Sequence, residues 1–172
     1  MKPYRRRTPP IVALALASLV FSAGSMAQPN SLAVNYVIAS DRLHTAGQPN
    51  TEQLTTVADR GFDLVINLAP PTSREAIANE GQLVTETGAS YLNIPVDWQN
   101  PSYADFELFS GVLNQAGERR VLVHCMLNYR ASLFTFLYRV VHERVPAGAA
   151  FDAVAQVWDC LLYTSPSPRD RG

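Results

Sequence analysis

Short apolar runs alternate along the chain with stretches whose apolar residues recur every three or four positions. Phe62 to Leu68 and Val121 to His124 are nearly continuous apolar runs, the pattern of strands buried on both faces. Tyr91 to Val96, Ala33 to Ala39 and Leu43 to Ala46 read as further strands, the last two joined by a turn at Asp41-Arg42. Helical spacing predicts five helices between and after them. Pro49-Asn50-Thr51 caps one that runs through Leu54, Val57 and Ala58 until Gly61 stops it. After Pro70-Pro71, Thr72-Ser73 caps another over roughly residues 74 to 87, ended by Gly88. A third spans residues 104 to 116 through Phe106, Phe109, Val112 and Leu113. A fourth spans residues 131 to 143, with Leu133, Phe134, Phe136, Leu137, Val140 and Val141 on a wide apolar face. The last pattern, through Phe151, Val154 and Val157, stops in Ser-Pro-Ser-Pro-Arg. Strands alternating with helices predict an α/β fold with a mainly parallel central sheet flanked by helices. Ligands of such sheets bind outside the carboxyl ends of the strands. Cys125 and Asp97 both fall there, after two different strands.

The two ends of the chain read differently from the middle. Lys2 and Arg5 to Arg7 precede an apolar segment from Ile11 to Phe21 that is too short to span a bilayer, followed by small residues up to Ala27. Residues 1 to 27 are therefore expected to be a secretory signal peptide cut after Ala27, which places the mature protein in the periplasm or outside the cell. Residues 160 to 172, from Cys160 through Thr164-Ser165-Pro166-Ser167-Pro168-Arg169-Asp170, resemble a translated sequencing adapter and are set aside as an assembly scar. Residues 28 to 159 remain as one domain large enough to bury a core. Four of the fourteen basic residues lie in the leader and two in the tail, with one of the fifteen acids. The domain is left with eight arginines, no lysine and fourteen carboxylates, a formal charge of −6 rather than the −1 of the whole chain. Such an acidic domain is a poor partner for nucleic acid or for an anionic membrane surface, so neither nucleic acid nor stable membrane association after cleavage is expected. It keeps one cysteine, which excludes an internal disulfide.

That cysteine is placed for chemistry. Val121-Leu122-Val123-His124-Cys125 ends a strand, and a helix starts a few residues on. The N–H groups at a helix start have no intrahelical partner, and with the helix dipole they favour a bound anion and a thiolate over a thiol. Arg130 brings a planar fork suited to two oxygens of an oxyanion. Asn128 is the next-best residue after glycine for a left-handed backbone position, which lets the loop close. Met126, Leu127 and Tyr129 make the loop apolar; they either wall off a narrow pocket, with Tyr129 free to stack on an aryl group, or pack inward. His44 and His142 lack metal-ligand spacing, and neither a metal nor a cofactor is expected.

The His-Cys start, the Arg and the strand-loop-helix context resemble the cysteine-dependent protein phosphatases, especially the small bacterial dual-specificity-like kind. The resemblance extends to Gly47-Gln48-Pro49, to Gly61-Phe62-Asp63-Leu64-Val65-Ile66-Asn67-Leu68 and to Ile94-Pro95-Val96-Asp97. It implies Cys125 as nucleophile and Arg130 as catalytic anion clamp. Met126, Leu127, Asn128, Tyr129, Arg130 and Ser132 would bind substrate, the Ser132 hydroxyl steadying the departing thiolate. Asp97, 28 residues before Cys125, would be the general acid that protonates the leaving oxygen, with Asp105 as substitute. His124 is expected to hydrogen-bond backbone and fix the loop, and Gln48 to sit in a structural turn near the pocket.

One departure bears on the reaction. The phosphatase signature places five residues between Cys and Arg, whereas four stand here, the spacing of the rhodanese-type sulfurtransferase loop. The expected function is an exported hydrolase of phosphate monoesters acting through phosphocysteine on a phosphorylated small molecule or phosphoprotein. The alternatives are sulfur transfer through a Cys125 persulfide and non-catalytic binding of an oxyanion or phosphoprotein.

Overall fold

The computed structural model describes residues 32 to 162, with side chains as far as Trp158. The leader, and the tail from residue 163 on, lie outside the described residues. Five strands form one sheet in the order β1-β2-β5-β3-β4: β1 Val37–Ile38, β2 Leu43–Ala46, β3 Leu64–Asn67, β4 Ser90–Asn93 and β5 Val121–His124. Only β1 runs antiparallel; β2, β5, β3 and β4 are parallel neighbours. The helices are α1 Thr51–Leu54, α2 Glu80–Glu86, α3 Tyr103–Ala116, α4 Tyr129–Val141 and α5 Ala147–Leu162. The predicted α/β fold with a mainly parallel sheet covered by helices is the one observed, with β5 at its centre.

Period-two alternation on the strands divides the interior into two layers. Leu64, Ile66, Val121, Val123 and Cys125 join Phe109, Leu113, Phe134 and Tyr138 of α3 and α4 on one face. Val65, Leu122 and Ala46 join Leu54, Val57, Phe62 and Val84 on the other, beneath α1 and α2. Each of these large apolar side chains, buried fully, contributes about 1.5–3 kcal/mol. His124 and Asn67 share the second layer's face, so their side chains turn away from that of Cys125.

Several elements are shorter than their patterns predict, for local reasons. The strand expected over residues 33 to 39 shrinks to Val37–Ile38 because Asn35 takes a left-handed conformation (φ 52°). The first helix holds one turn, capped by Asn50 with a reciprocal bond from Gln53, and then becomes turns up to Gly61. The helix expected from residue 74 begins only at Glu80. Residues 71 to 79 form turns in which Ser73 N–H bonds Pro70 O and Ala76 N–H bonds Ser73 O, and these carry Glu80 beneath the sheet. The fourth helix starts two residues early, at Tyr129, which puts Arg130 in its first turn. The last helix continues through Leu162, three residues into the segment set aside on composition.

The turn Gly47-Gln48-Pro49 docks directly on the loop after β5. Gly47 N–H donates to Val34 O, Gln48 N–H donates to Met126 O at 3.1 Å, and Gly47 forms an isolated bridge with Leu127. A Cβ on Gly47 would lie 3.0 Å from both Met126 O and Val34 O. Gly47→Ala is therefore expected to push the loop outward and to destabilise the protein by about 1–3 kcal/mol, read as a lower midpoint of urea denaturation.

Candidate active site

Cys125 leaves β5 with its N–H on Ala46 O (3.2 Å) and its side chain in the α3–α4 layer, 1% exposed. Beyond it the chain turns tightly with its carbonyls outward. Met126 O is taken by Gln48 N–H and Leu127 O by Asn35 Nδ2 at 3.0 Å. Asn128 adopts the expected left-handed conformation, φ 73° and ψ −2°, and is the N-cap of α4. Its side chain does not cap: Nδ2 donates to Asn35 O and to Thr45 Oγ1 (3.0 Å), stitching the loop to β2 and to the turn before β1. Carbonyls bound outside leave the amides for the inside. Among the described residues, no acceptor takes the N–H of Met126, Leu127, Tyr129 or Arg130; the first helical bond is Ser132 N–H to Asn128 O.

Arg130 is 8% exposed and points inward. Its Nη1 donates to Leu68 O (3.2 Å) just past β3 and to Val96 O (2.9 Å) just past β4. One nitrogen of the fork is thus fixed by two strand ends, while the guanidinium lines a pocket of about 280 Å³ together with Cys125, Met126, Leu127, Tyr129 and Trp98. Except for Arg130 and the loop amides this wall is apolar. Unpartnered amides, one clamped guanidinium and a buried sulfur thus meet at this pocket, where low dielectric strengthens each polar contact.

The remaining predicted residues fall around this centre. Asp97 follows Val96 but does not line the pocket; its carboxylate is exposed and accepts Gln99 N–H (2.9 Å), and the next residue, Trp98, is the one that lines the pocket. Asp105 is occupied elsewhere as half of a capping box, accepting Ser102 N–H and Oγ at the start of α3, so it does not stand in as the acid. The Ser132 hydroxyl donates to Tyr129 O and accepts Trp158 Nε1, both at 3.1 Å. Trp158 also packs edge-on against Tyr129, with centroids 5.0 Å apart, and both rings approach Trp98. Tyr129 therefore does both things expected of it: it lines the pocket within an aromatic cluster and packs, half-buried, against the small core of Val37, Ala153 and Val157. Gln48 lines a separate cavity of about 390 Å³ behind Met126 and Leu127.

His124 departs from its expected role. Its ring reaches the side chain of Glu80 across the back face, Nε2 lying 2.7 Å from Oε1. The carboxylate sits off the N–H direction, so this is a close contact and not a directed hydrogen bond. Glu80, 3% exposed, also accepts Gln48 Nε2 at 2.9 Å and the longer contacts of Asn67 Nδ2 at 3.3 and 3.4 Å. Burial, and then the Glu80 charge, pushes the Tyr91 phenol up to about 12 and keeps it a neutral neighbour of this group. His44 is held by Tyr36 and Arg120, and burial followed by the Arg120 charge lowers its pKa. Sequence reasoning missed Glu80, Asn35, Thr45, Trp98 and Trp158. Of the site's surroundings, only the Ser102-x-x-Asp105 cap had a local signature.

No family model matches the chain. Among solved structures it is similar to a "putative phosphatase (DUF442)" from Shewanella putrefaciens CN-32, at 37% identity over 76% of this chain and 88% of that one, with a TM-score of 0.64. It shares its fold with Tk-PTP (20% identity, 72% and 84% of the two chains, TM-score 0.60). It also shares its fold with TpbA of P. aeruginosa in complex with pTyr (19%, 73% and 72%, TM-score 0.56). Among curated proteins, a beta-lactamase hydrolase-like protein of Xylella fastidiosa is 30% identical over 109 residues, 62% of this chain, and the chain spans 25% of that relative's length. With more than a third of its residues shared across most of both chains, this protein belongs to the DUF442 family of phosphatase-like proteins.

Proposed function

We propose that the protein is a cysteine-dependent phosphatase that hydrolyses a phosphate monoester of a small molecule or a phosphoprotein, in the periplasm or outside the cell after loss of residues 1 to 27. The observation that supports this reading is Cys125 in one pocket with the clamped Arg130 guanidinium, on a loop whose Met126, Leu127, Tyr129 and Arg130 N–H groups have no acceptor among the described residues, a donor set suited to the oxygens of a phosphoryl group. The Cys125 thiolate attacks phosphorus, forming the S–P bond as the ester P–O bond breaks. Asp97 gives its proton to the departing oxygen. Water then attacks phosphocysteine with Asp97 as base, the S–P bond breaks, and inorganic phosphate leaves with thiolate and acid restored. Support for Asp97 as the acid is its place in the chain, between Val96, whose carbonyl Arg130 holds, and Trp98, which lines the pocket.

A second reading has its own support in the four-residue loop between Cys125 and Arg130 and in the apolar wall of the pocket. In sulfur transfer, Cys125 takes the outer sulfur of thiosulfate, releases sulfite and passes the sulfur from its persulfide to a nucleophile such as cyanide. This route needs no acid at Asp97.

Vanadate-sensitive hydrolysis of p-nitrophenyl phosphate by the protein is expected to fall about 10³-fold or more in Cys125→Ser; retention of activity there sinks the phosphatase reading. Asp97→Asn is expected to lower kcat about 10²- to 10⁴-fold. It is also expected to flatten the alkaline limb of the pH profile, because a general acid works only while protonated and its loss removes that limb. Thiosulfate-to-cyanide transfer that is indifferent to Asp97→Asn, with a persulfide mass on Cys125 and no ester hydrolysis, would decide for sulfur transfer.

A further inference from the structure

A carboxylate buried in the back layer of a small domain is costly unless its partners are specific. Glu80 is such a group, and neither reaction considered above uses it. Besides Tyr91, three of its partners come from three separate elements, and each of the three either shapes the cradle of loop amides and Arg130 itself or adjoins a residue that does. Gln48 donates to Glu80 through Nε2 while its own N–H holds Met126 O. Asn67 donates to Glu80, accepts Ala69 N–H at 2.7 Å through Oδ1, and immediately precedes Leu68, whose carbonyl holds Arg130 Nη1. His124, 2.7 Å from Glu80 through Nε2, immediately precedes Cys125, and its carbonyl accepts Leu68 N–H at 2.7 Å. One carboxylate behind the sheet therefore ties together the outer wall of the loop, the clamp on the arginine and the residue that aims the sulfur.

We propose that Glu80 is the positioning residue of the oxyanion cradle: through Gln48, Asn67 and His124 it holds the Met126 carbonyl outward, the Arg130 guanidinium inward and Cys125 between them. The inference rests on the reading of the Cys125–Arg130 loop as an anion site, and it applies to a phosphoryl or a thiosulfate oxyanion alike. Glu80 touches no substrate. Geometry set this closely matters because a misplacement on the scale of an ångström is enough to lose most of the benefit of a preorganised site.

The test compares alkylation of Cys125 by iodoacetate, which is anionic, and by iodoacetamide, which is neutral, in the full chain, followed by peptide mass at Cys125. A formed cradle draws the anionic reagent, so the ratio of the two rates, referred to that of a small free thiol, measures the cradle without any turnover. Glu80→Gln is expected to lower this ratio about tenfold while leaving the iodoacetamide rate within about twofold. Gln48→Leu, which severs one of the three links at a partly exposed position, is expected to lower it by a smaller factor. An unchanged ratio in Glu80→Gln overturns the proposal. So does an iodoacetamide rate that climbs to that of a free thiol, which assigns Glu80 to the stability of the fold alone. If the unsubstituted protein shows no preference for the anionic reagent, the anion-site reading itself fails, an outcome distinct from failure of the Glu80 assignment.

Discussion

Two main-chain carbonyls, those of Leu68 and Val96, fix where the one buried guanidinium of this site can point. Leu68 O also accepts Val96 N–H at 3.1 Å, so the two strand ends are tied to each other as well as to the arginine, and a parallel sheet delivers such carbonyls to one edge. Arg130, in the first turn of α4, reaches two of them with a single nitrogen. Two bonds to one nitrogen remove most of the rotamer freedom of a long side chain. The pocket, the buried sulfur and the inward amides are arranged around this fixed charge.

The sheet separates chemistry from support. On the α3–α4 face Cys125 continues an apolar ladder, so its surroundings are dry and the amides and Arg130 supply nearly all the local polarity. On the α1–α2 face His124 and Asn67 interrupt an apolar layer with a hydrogen-bonded group centred on Glu80. Neighbouring residues of one strand, His124 and Cys125, thus serve opposite faces. The strand's pleat enforces that division regardless of what either face does.

How far this could be read from residues alone depended on the range of the interactions. Leu43–Ala46 and Val121–His124 coincide with their expected strands because both are buried on two sides and bounded by turn formers. Asn128 was legible as a left-handed residue because the signal is local to its own backbone. The helix expected from residue 74 was not found there: its periodicity is real, but turns after Pro70-Pro71 carry Glu80 inward instead. A charged residue within an amphipathic pattern reads as solvated, and nothing nearby in sequence announces Gln48, Asn67 and His124 as its partners. Trp98 and Trp158 were equally silent, since they meet only across the folded chain.

Asn128 shows what a side chain adds where a glycine would satisfy the backbone equally well. Its amide bonds to Asn35 and Thr45 anchor the ring to the neighbouring strand. A ring fastened in this way has little remaining freedom to surrender when a ligand arrives. Recognition by this loop accordingly resembles a rigid die more than a closing hand: an anion of the wrong radius cannot recruit the loop to reshape around it, and discrimination by size is built in before any encounter.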